Sequence, residues 1–182
     1  IPATINLAGA DIELIEKSKQ DPTYQKNLQL KLALEEVKDE FDFIIIDCPP
    51  SLGLLTTNAL TSANSVLIPV QCEFFALEGI MQLLNSIMLA QKKLNPTLEI
   101  EGVLLTMLDS RTNLGLEVVE EVRGFFKERV YNTLIPRLIR LTEAPSHGKP
   151  IVAYDPMSRG TEAYLNLAKE VIEQDERRKQ QQ

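Results

Sequence analysis

Cysteine and histidine are scarce in this sequence, which contains 2 cysteines and 1 histidine among its 182 residues. So few cysteines fit a reducing compartment better than a disulfide framework, and we expect Cys48 and Cys72 to be small buried side chains. No H-x-x-H or E-x-x-H pattern includes His147, so the sequence indicates no histidine-based metal site. His147 is therefore predicted to be a structural residue of a loop.

Long apolar runs and an excess of basic charge are also lacking. No run approaches the roughly 20 apolar residues that span a bilayer, and the start of the chain carries no signal-peptide pattern. The formal net charge is −7, from 19 basic and 26 acidic residues. This balance argues against a wholly basic nucleic-acid-binding face, but it leaves room for a local basic patch.

The composition that is present, with 44% hydrophobic residues, is typical of one core-forming domain. We assign residues 1–174 to this domain and residues 175–182 to a polar tail, which we expect to fray. Helical and strand patterns alternate along the domain, which predicts an α/β fold with a mostly parallel sheet flanked by helices on both faces. The predicted helices cover 7–19, 28–40, 52–62, 76–94, 114–127 and 162–174, and the predicted strands cover 41–47, 65–70, 100–107 and 131–135.

The stretch FDFIIIDCPPS at residues 41–51 combines the strongest strand pattern with a terminal acid. An unbroken apolar run is typical of a strand buried on both faces. Asp47 would then lie at the carboxyl end of that strand, where open α/β sheets bind ligands and where an acid can hold a metal ion through water beside a phosphate. From the residues alone, a core strand whose acid caps the next helix is an equally good interpretation.

Three stretches together resemble one protein family. They are DCPPSLG at 47–53, IPVQCE and ALEG within 68–79, and the proline-rich segment from IPR at 135 to YDP at 156. They are similar to the Walker B region and later motifs of the ParA/Soj family of chromosome- and plasmid-partitioning ATPases, and the resemblance runs from about residue 1 to residue 173. It implies a P-loop NTPase fold, ATP or ADP with Mg²⁺ as cofactors, and hydrolysis of ATP.

The glycine-rich phosphate loop that such an ATPase needs does not occur in this sequence. No G-x-x-x-x-G-K-[ST] is present, and Gly148-Lys149 is followed by proline. In the family this loop precedes the stretches quoted above. We therefore expect the fold to be incomplete at its N-terminus, by roughly the first third of the intact domain, and these residues alone to hydrolyse no ATP.

The resemblance implies nucleotide-binding roles for residues near the ends of the predicted strands. Asp47 is implied as the Walker B acid, the catalytic residue that holds Mg²⁺ through water. The other implied residues are Pro49 and Ser51 in a loop that senses the γ-phosphate, and Met107, Asp109, Pro136 and Arg137 in a base-binding wall. Without the resemblance, strand-end packing would be the better interpretation of Met107 and Pro136.

The resemblance also implies a surface for non-specific DNA binding, carried by Arg111 and Arg140. Exposed guanidinium groups contact phosphates without reading bases, and such binding depends strongly on salt. Arg123, Lys127, Arg129 and Arg137 could join this surface. For Arg123 and Lys127 we prefer a solvated helix face balanced by neighbouring glutamates.

The partners implied by the resemblance are a second copy of the chain, DNA and a ParB/Spo0J-type protein. ATP would hold a sandwich dimer together, the dimer would bind DNA without sequence preference, and the partner would stimulate hydrolysis. Residues 174–182 contain no apolar side chain, so we expect no membrane attachment and a cytoplasmic, nucleoid-associated protein. The alternatives are a non-catalytic DNA- or partner-binding module, a sister ATPase that positions division sites or flagella, and a metabolic ATPase on the same fold.

Overall fold

A computed structural model describes residues 7–48 and 53–180 of the chain. Most of the predicted helices are confirmed to within two residues at each end, and two short helices occur in the segment 136–156, where the sequence predicts a loop with a helical turn. The α-helices of the described residues are α1 (Leu7–Gln20), α2 (Gln29–Glu35), α3 (Leu54–Ser62), α4 (Ala76–Lys93), α5 (Asn113–Phe126), α6 (Ile139–Ser146), α7 (Ile151–Tyr154) and α8 (Arg159–Lys179). Single 3-10 turns follow α2 and α5, at Lys38–Glu40 and Lys127–Arg129.

The sheet is parallel and confirms the predicted α/β class. Within the described residues the sheet has two strands, β1 (Ser65–Gln71) and β2 (Glu99–Thr106), which match the predictions to within a residue. The strand predicted at 131–135 is not formed as a regular strand, but this segment runs beside β2 and is joined to it at its two ends by isolated parallel bridges, Val103 with Val130 and Leu108 with Pro136. Both β1 and β2 are followed by helices, as expected for a sheet flanked by helices.

The predicted strand at residues 41–47 is wrong for the residues that the structure describes. Residues 43–48 carry no regular secondary structure, and no described residue pairs with them in a ladder. Ile45 is 91% exposed and Phe41 is 59% exposed. Strand propensity reflects packing against neighbouring strands, so an apolar run without such a neighbour stays unpaired. Asp47 is therefore an exposed residue of an irregular segment rather than the end of a strand.

The described chain divides into two compact units. The first comprises the described residues up to Val66 together with Gln82–Glu99. Two buried amides fix its connections, because each reaches backbone carbonyls that no helix satisfies. The Asn58 amide nitrogen donates to Lys26 O at 2.9 Å, and that of Asn95 donates to Ala63 O at 2.8 Å.

The second unit comprises Leu67–Met81 and the described residues from Ile100 onward. Its core cluster contains Leu104, Tyr131 and Ile135, and Tyr131 and Leu105 are fully buried. Burying side chains of this size contributes about 1.5–3 kcal/mol each. Further apolar side chains from β1, α6 and α8 pack against this cluster: Leu67, Leu141, Ala163, Leu167 and Val171. This packing fixes the strand ends relative to α6 and α8.

The last helix extends beyond the predicted end at Gln174, to Lys179. Acidic residues precede basic ones by four positions in this part of α8, and the pair Asp175–Lys179 closes at 2.7 Å. The Arg178 guanidinium also donates to Glu101 O at 3.1 Å and forms an ion pair with the Glu101 carboxylate. These contacts stabilise a segment whose composition alone predicts a frayed tail.

Candidate functional site

Three neighbouring chain segments end side by side in the second unit. The Cys72 N–H, just past β1, donates to Thr106 O at 3.0 Å at the end of β2. Beyond β2, the Leu108 N–H donates to Ile135 O at 3.1 Å, and Leu108 O accepts from the Arg137 N–H at 2.9 Å. The carboxyl ends of β1, β2 and the 130–136 segment therefore form one edge, which is where open α/β sheets bind ligands.

This backbone pairing brings together the four residues predicted to form the base-binding wall. Leu108 bridges to Pro136, so that Met107 and Asp109 on one segment flank the bridge opposite Pro136 and Arg137 on the other. Met107 has a φ of 54°, a left-handed conformation that costs a non-glycine residue about 1 kcal/mol. This turn directs the chain out of β2 and into the loop that carries Asp109.

Asp109 and Arg111 form a side-on ion pair within that loop. Asp109 Oδ1 accepts from Arg111 Nε at 2.8 Å and from its backbone N–H at 3.1 Å, while Oδ2 accepts from Nη2 at 2.7 Å. These hydrogen bonds, the side-chain ones foremost, hold the pKa of the Asp109 carboxyl well below its usual range. Asp109 is therefore ionised at neutral pH and neutralises the exposed guanidinium beside it.

Arg137 and Arg140 are also paired with carboxylates of the same unit. Arg137 forms an ion pair with Glu73, which follows β1, and both side chains are about half exposed. Arg140, in the first turn of α6, contacts Glu143 at 3.1 Å and Asp155 at 3.6 Å. Arg137 and Arg140, like Arg111, are therefore each balanced by at least one carboxylate.

Aromatic contacts hold Arg140 further in place. Its Cζ atom lies 6.0 Å from the centre of the Tyr154 ring, and the Tyr154 hydroxyl donates to Glu143 Oε2 at 3.1 Å. His147, at the C-terminal end of α6, stacks on the same Tyr154 ring, with ring centres 5.0 Å apart. These contacts agree with the predicted structural role of His147. Arg123 and Lys127 are exposed, as a solvated helix face would be.

An open cavity of about 460 Å³ adjoins this edge and was missed by sequence reasoning. Pro136 lines it together with residues of the 132–134 turn. Its other wall is the first part of α8, including Arg159, Glu162 and Asn166. Spacings of three and four residues place these three polar side chains on one helix face. This periodicity is the sequence feature from which the cavity wall could have been predicted.

The predicted phosphate and metal residues belong to the other part of the chain. Asp47 lies in the first unit and is exposed, while Pro49 and Ser51 lie outside the described residues. Within the described ranges, no group of three or more His, Cys, Asp or Glu side chains could hold a metal ion. Cys72 is buried as predicted, whereas Cys48 is exposed because the segment that carries it is not a core strand.

Parallel strands with flanking helices place the chain in the open α/β class, in which ligands bind at the carboxyl edge of the sheet. Known proteins identify the family within it. A family described as an AAA domain matches residues 1–100. The Soj protein of Bacillus subtilis, named sporulation initiation inhibitor protein, is 66% identical over 94% of this chain and 65% of its own length. The chromosome-partitioning ATPase Soj of Treponema pallidum is 49% identical over 98% of this chain and 68% of its own length. The chain therefore belongs to the Soj/ParA family of chromosome-partitioning ATPases.

Solved structures agree with this assignment at the level of the fold. Cobyrinic acid a,c-diamide synthase from Mycobacterium smegmatis, solved with ADP and magnesium, superposes with a TM-score of 0.71 and 37% identity. The match covers 90% of this chain and 57% of the synthase. Measured against the two Soj proteins, the chain spans about two thirds of the length of its curated relatives. None of the helices in the described ranges is long and apolar enough to cross a membrane.

Proposed function

We propose that the protein to which this chain belongs is an ATP-dependent DNA-partitioning ATPase. The observation that carries the proposal is the meeting of Met107, Asp109, Pro136 and Arg137 around a single backbone bridge at the carboxyl edge of the sheet. Family membership supports the same chemistry. The proposal assigns the ATPase reaction to the whole protein, with ATP and Mg²⁺ as its cofactors.

The edge of the sheet is suited to a purine base. The side chain of Met107 and the ring of Pro136 offer apolar surfaces, and the ionised Asp109 carboxylate can accept a hydrogen bond from an exocyclic amino group. Glu162 and Asn166 of α8 line the cavity next to Pro136 and are further candidates for contacts to the base edge. Arg137, anchored by Glu73, would hold this end of the site in place.

Asp47 would hold the magnesium ion through water, and Pro49 and Ser51 would contact the γ-phosphate region. Mg²⁺ retains several waters and takes its remaining ligands from one or two carboxylates and from substrate phosphates, so a single exposed aspartate suits it. Bound magnesium would neutralise charge that develops on the transferred phosphoryl group.

DNA binding and dimerisation complete the proposed cycle. Arg111 and Arg140 would contact DNA phosphates without reading sequence. Two copies joined by ATP would present twice as many phosphate contacts, so DNA affinity would rise by avidity. A ParB/Spo0J-type partner would stimulate hydrolysis, which removes the γ-phosphate contacts and separates the dimer. A cytoplasmic, nucleoid-associated location follows from this proposal.

The test is ATP turnover by the full-length protein, with and without random-sequence duplex DNA. Asp47→Ala is expected to lower turnover by at least about 100-fold, because a metal-holding acid supplies several kcal/mol of transition-state stabilisation. Asp42→Ala removes an equally exposed aspartate of the same segment and serves as the matched control. Turnover that survives Asp47→Ala at the wild-type rate would overturn the assignment of Asp47.

A further inference from the structure

The loop from Asp109 to Thr112 holds its carboxylate rigidly. Asp109 O accepts from the Thr112 N–H at 3.1 Å and from its hydroxyl at 2.9 Å. The Thr112 hydroxyl in turn accepts from the Gly115 N–H at 3.3 Å and caps α5. These bonds order the backbone of the loop, and Asp109 Oδ1 also accepts from the Arg111 backbone N–H at 3.1 Å, so the carboxylate is held within the loop before any ligand binds.

The pair that this carboxylate makes uses the same guanidinium edge that a phosphate would use. The Nε and Nη2 donors of Arg111 point at the two Asp109 oxygens, and this edge of arginine matches carboxylate and phosphate alike in a bidentate contact. The Arg111 side chain is 87% exposed, so DNA can reach it. A phosphate that approaches meets a neutral pair rather than a free cation.

Arg111 differs in one respect from the other two paired arginines of this surface. Arg137 is held by Glu73, beyond β1, and Arg140 is held by Asp155, beyond α7, as well as by Glu143 of its own helix. The partner of Arg111 lies two residues away in its own loop, so the pair can open by rotation of one side chain. No helix or strand needs to move.

We propose that Asp109 is an internal competitor of DNA phosphate, and that it lowers the DNA affinity of the protein by occupying Arg111. The inference rests on the proposed DNA contact of Arg111 and adds a regulatory role for Asp109. A group that engages or neutralises Asp109 frees the guanidinium for phosphate. The loop is thus an autoinhibitory contact built from adjacent residues.

The test measures the affinity of the full-length protein for a fluorescent random-sequence duplex at fixed salt, without nucleotide. Asp109→Asn keeps an oxygen that can accept the Arg111 backbone N–H but removes the charge that holds the guanidinium, and it is expected to tighten binding by roughly two- to fivefold. Asp109→Ser, which retains a short acceptor for the turn, is expected to act in the same direction. Thermal unfolding of both variants checks that the loop and α5 remain folded.

Two controls separate competition for Arg111 from a simple change in net charge. Glu117→Gln removes the same charge from the exposed face of α5, and among the described residues Glu117 forms no ion pair with Arg111. It is expected to change affinity less than Asp109→Asn. In an Arg111→Gln background, Asp109→Asn is expected to leave the DNA affinity unchanged, because the guanidinium for which Asp109 and phosphate compete is no longer present.

The possible results distinguish this inference from the function on which it rests. If the wild-type protein binds DNA and Arg111→Gln weakens binding, but Asp109→Asn does not tighten it, the competition is refuted and the proposed function stands. The competition is refuted in the same way if Asp109→Asn tightens binding equally in the Arg111→Gln background. If the wild-type protein binds no DNA with or without ATP, both proposals are overturned.

Discussion

Glu170 holds the start of the third parallel segment, residues 130–136, in place with a single carboxylate. Its Oε1 accepts from the Asn132 N–H at 2.7 Å and from the Asn132 side chain at 3.0 Å, and its Oε2 accepts from the Thr133 N–H at 3.0 Å. Partial burial raises the pKa of Glu170, but these hydrogen bonds outweigh it and leave the pKa below its ordinary value. The carboxylate thereby satisfies backbone donors that no strand partner reaches.

The lowered pKa predicts how stability depends on pH. A carboxyl whose pKa is lower when folded stabilises the protein above its unfolded pKa, about 4.3, and that contribution disappears as pH falls through the folded value. Glu170→Gln is expected to cost about 1 kcal/mol at pH 7, since solvent screens part of the interaction of a half-buried group. Urea unfolding of wild type and Glu170→Gln, at pH 7 and at acidic pH, would measure the difference in their free energy of unfolding at each pH.

The difference between wild type and Glu170→Gln should shrink as the pH is lowered below about 4.3. Glu176→Gln changes an exposed position on the same helix. Its free energy of unfolding should stay within about 0.5 kcal/mol of the wild-type value at both pH values. A Glu170→Gln penalty that persists undiminished at low pH would mean that the amide geometry, and not the charge, carries the contact.

At the scale of elements, the same type of apolar run has two outcomes in this chain. The runs in β1 and β2 pair with each other and are strands, as the sequence predicts. The run at residues 41–47 has an equally strong pattern, but no described neighbour pairs with it. Local pattern records the preference of a segment, whereas strand formation also needs a partner, and the partner is not encoded in the segment itself.

The candidate site was predictable to the extent that strand ends were predictable. Met107, Asp109, Pro136 and Arg137 follow two apolar segments, and parallel pairing brings their ends together. Two of the ion-pair partners of the arginines, Glu73 and Asp155, were not predictable, because they come from other parts of the sequence. The cavity face of α8 could have been found from its spacing, but no motif points to it.

Close packing of β2 against the third segment predicts a large effect at Gly102. A Cβ at this position would lie 2.7 Å from Tyr131 Cε2 and 3.0 Å from Arg129 O. Because Tyr131 is fully buried and cannot move aside, Gly102→Ala is expected to destabilise the protein by about 1–3 kcal/mol. Chemical denaturation would measure the change in the free energy of unfolding.

Gly124→Ala is the matched control for this substitution. Gly124 lies within α5, and a methyl group added there would have nothing within 4 Å, so alanine should stabilise the helix by about 0.5–1 kcal/mol. Changes of opposite sign in the free energy of unfolding for Gly102→Ala and Gly124→Ala would support the packing of β2 against Tyr131. A neutral Gly102→Ala would show that the third segment lies farther from β2 than these distances require.

At the scale of the whole molecule, a net charge of −7 must be reconciled with a proposed DNA-binding role. The three arginines proposed for the sheet edge and for DNA contact are not free cations, since Arg111, Arg137 and Arg140 each have acidic partners. Weak intrinsic attraction for phosphate would make binding depend on having two copies side by side. The acidic balance then favours a protein whose DNA affinity is set by its assembly rather than by its surface alone.

The proposed DNA contacts predict that the two arginines differ in their effect on the salt dependence of binding. Each lost phosphate contact reduces the slope of log affinity against log salt by about 1. Arg111→Ala is expected to produce a reduction of this size per copy. Arg140→Ala is expected to produce a smaller one, because two carboxylates and the Tyr154 ring hold the Arg140 guanidinium, whereas the side-chain partner of Arg111, Asp109, lies in the same loop and can release it by rotation of one side chain. Titrations of the ATP-bound full-length protein at several salt concentrations would measure the slopes.

Arg177→Ala provides the control for charge alone. Arg177 is a surface residue of α8 that pairs with Glu173 at 3.3 Å, so its removal changes the net charge equally without deleting a proposed phosphate contact. General electrostatics would lower affinity in all three variants, but only a lost contact changes the slope by a full unit, because that change counts the counterions released. Equal slopes for Arg111→Ala and Arg177→Ala would therefore exclude Arg111 from the DNA interface, even if the affinity of both variants fell.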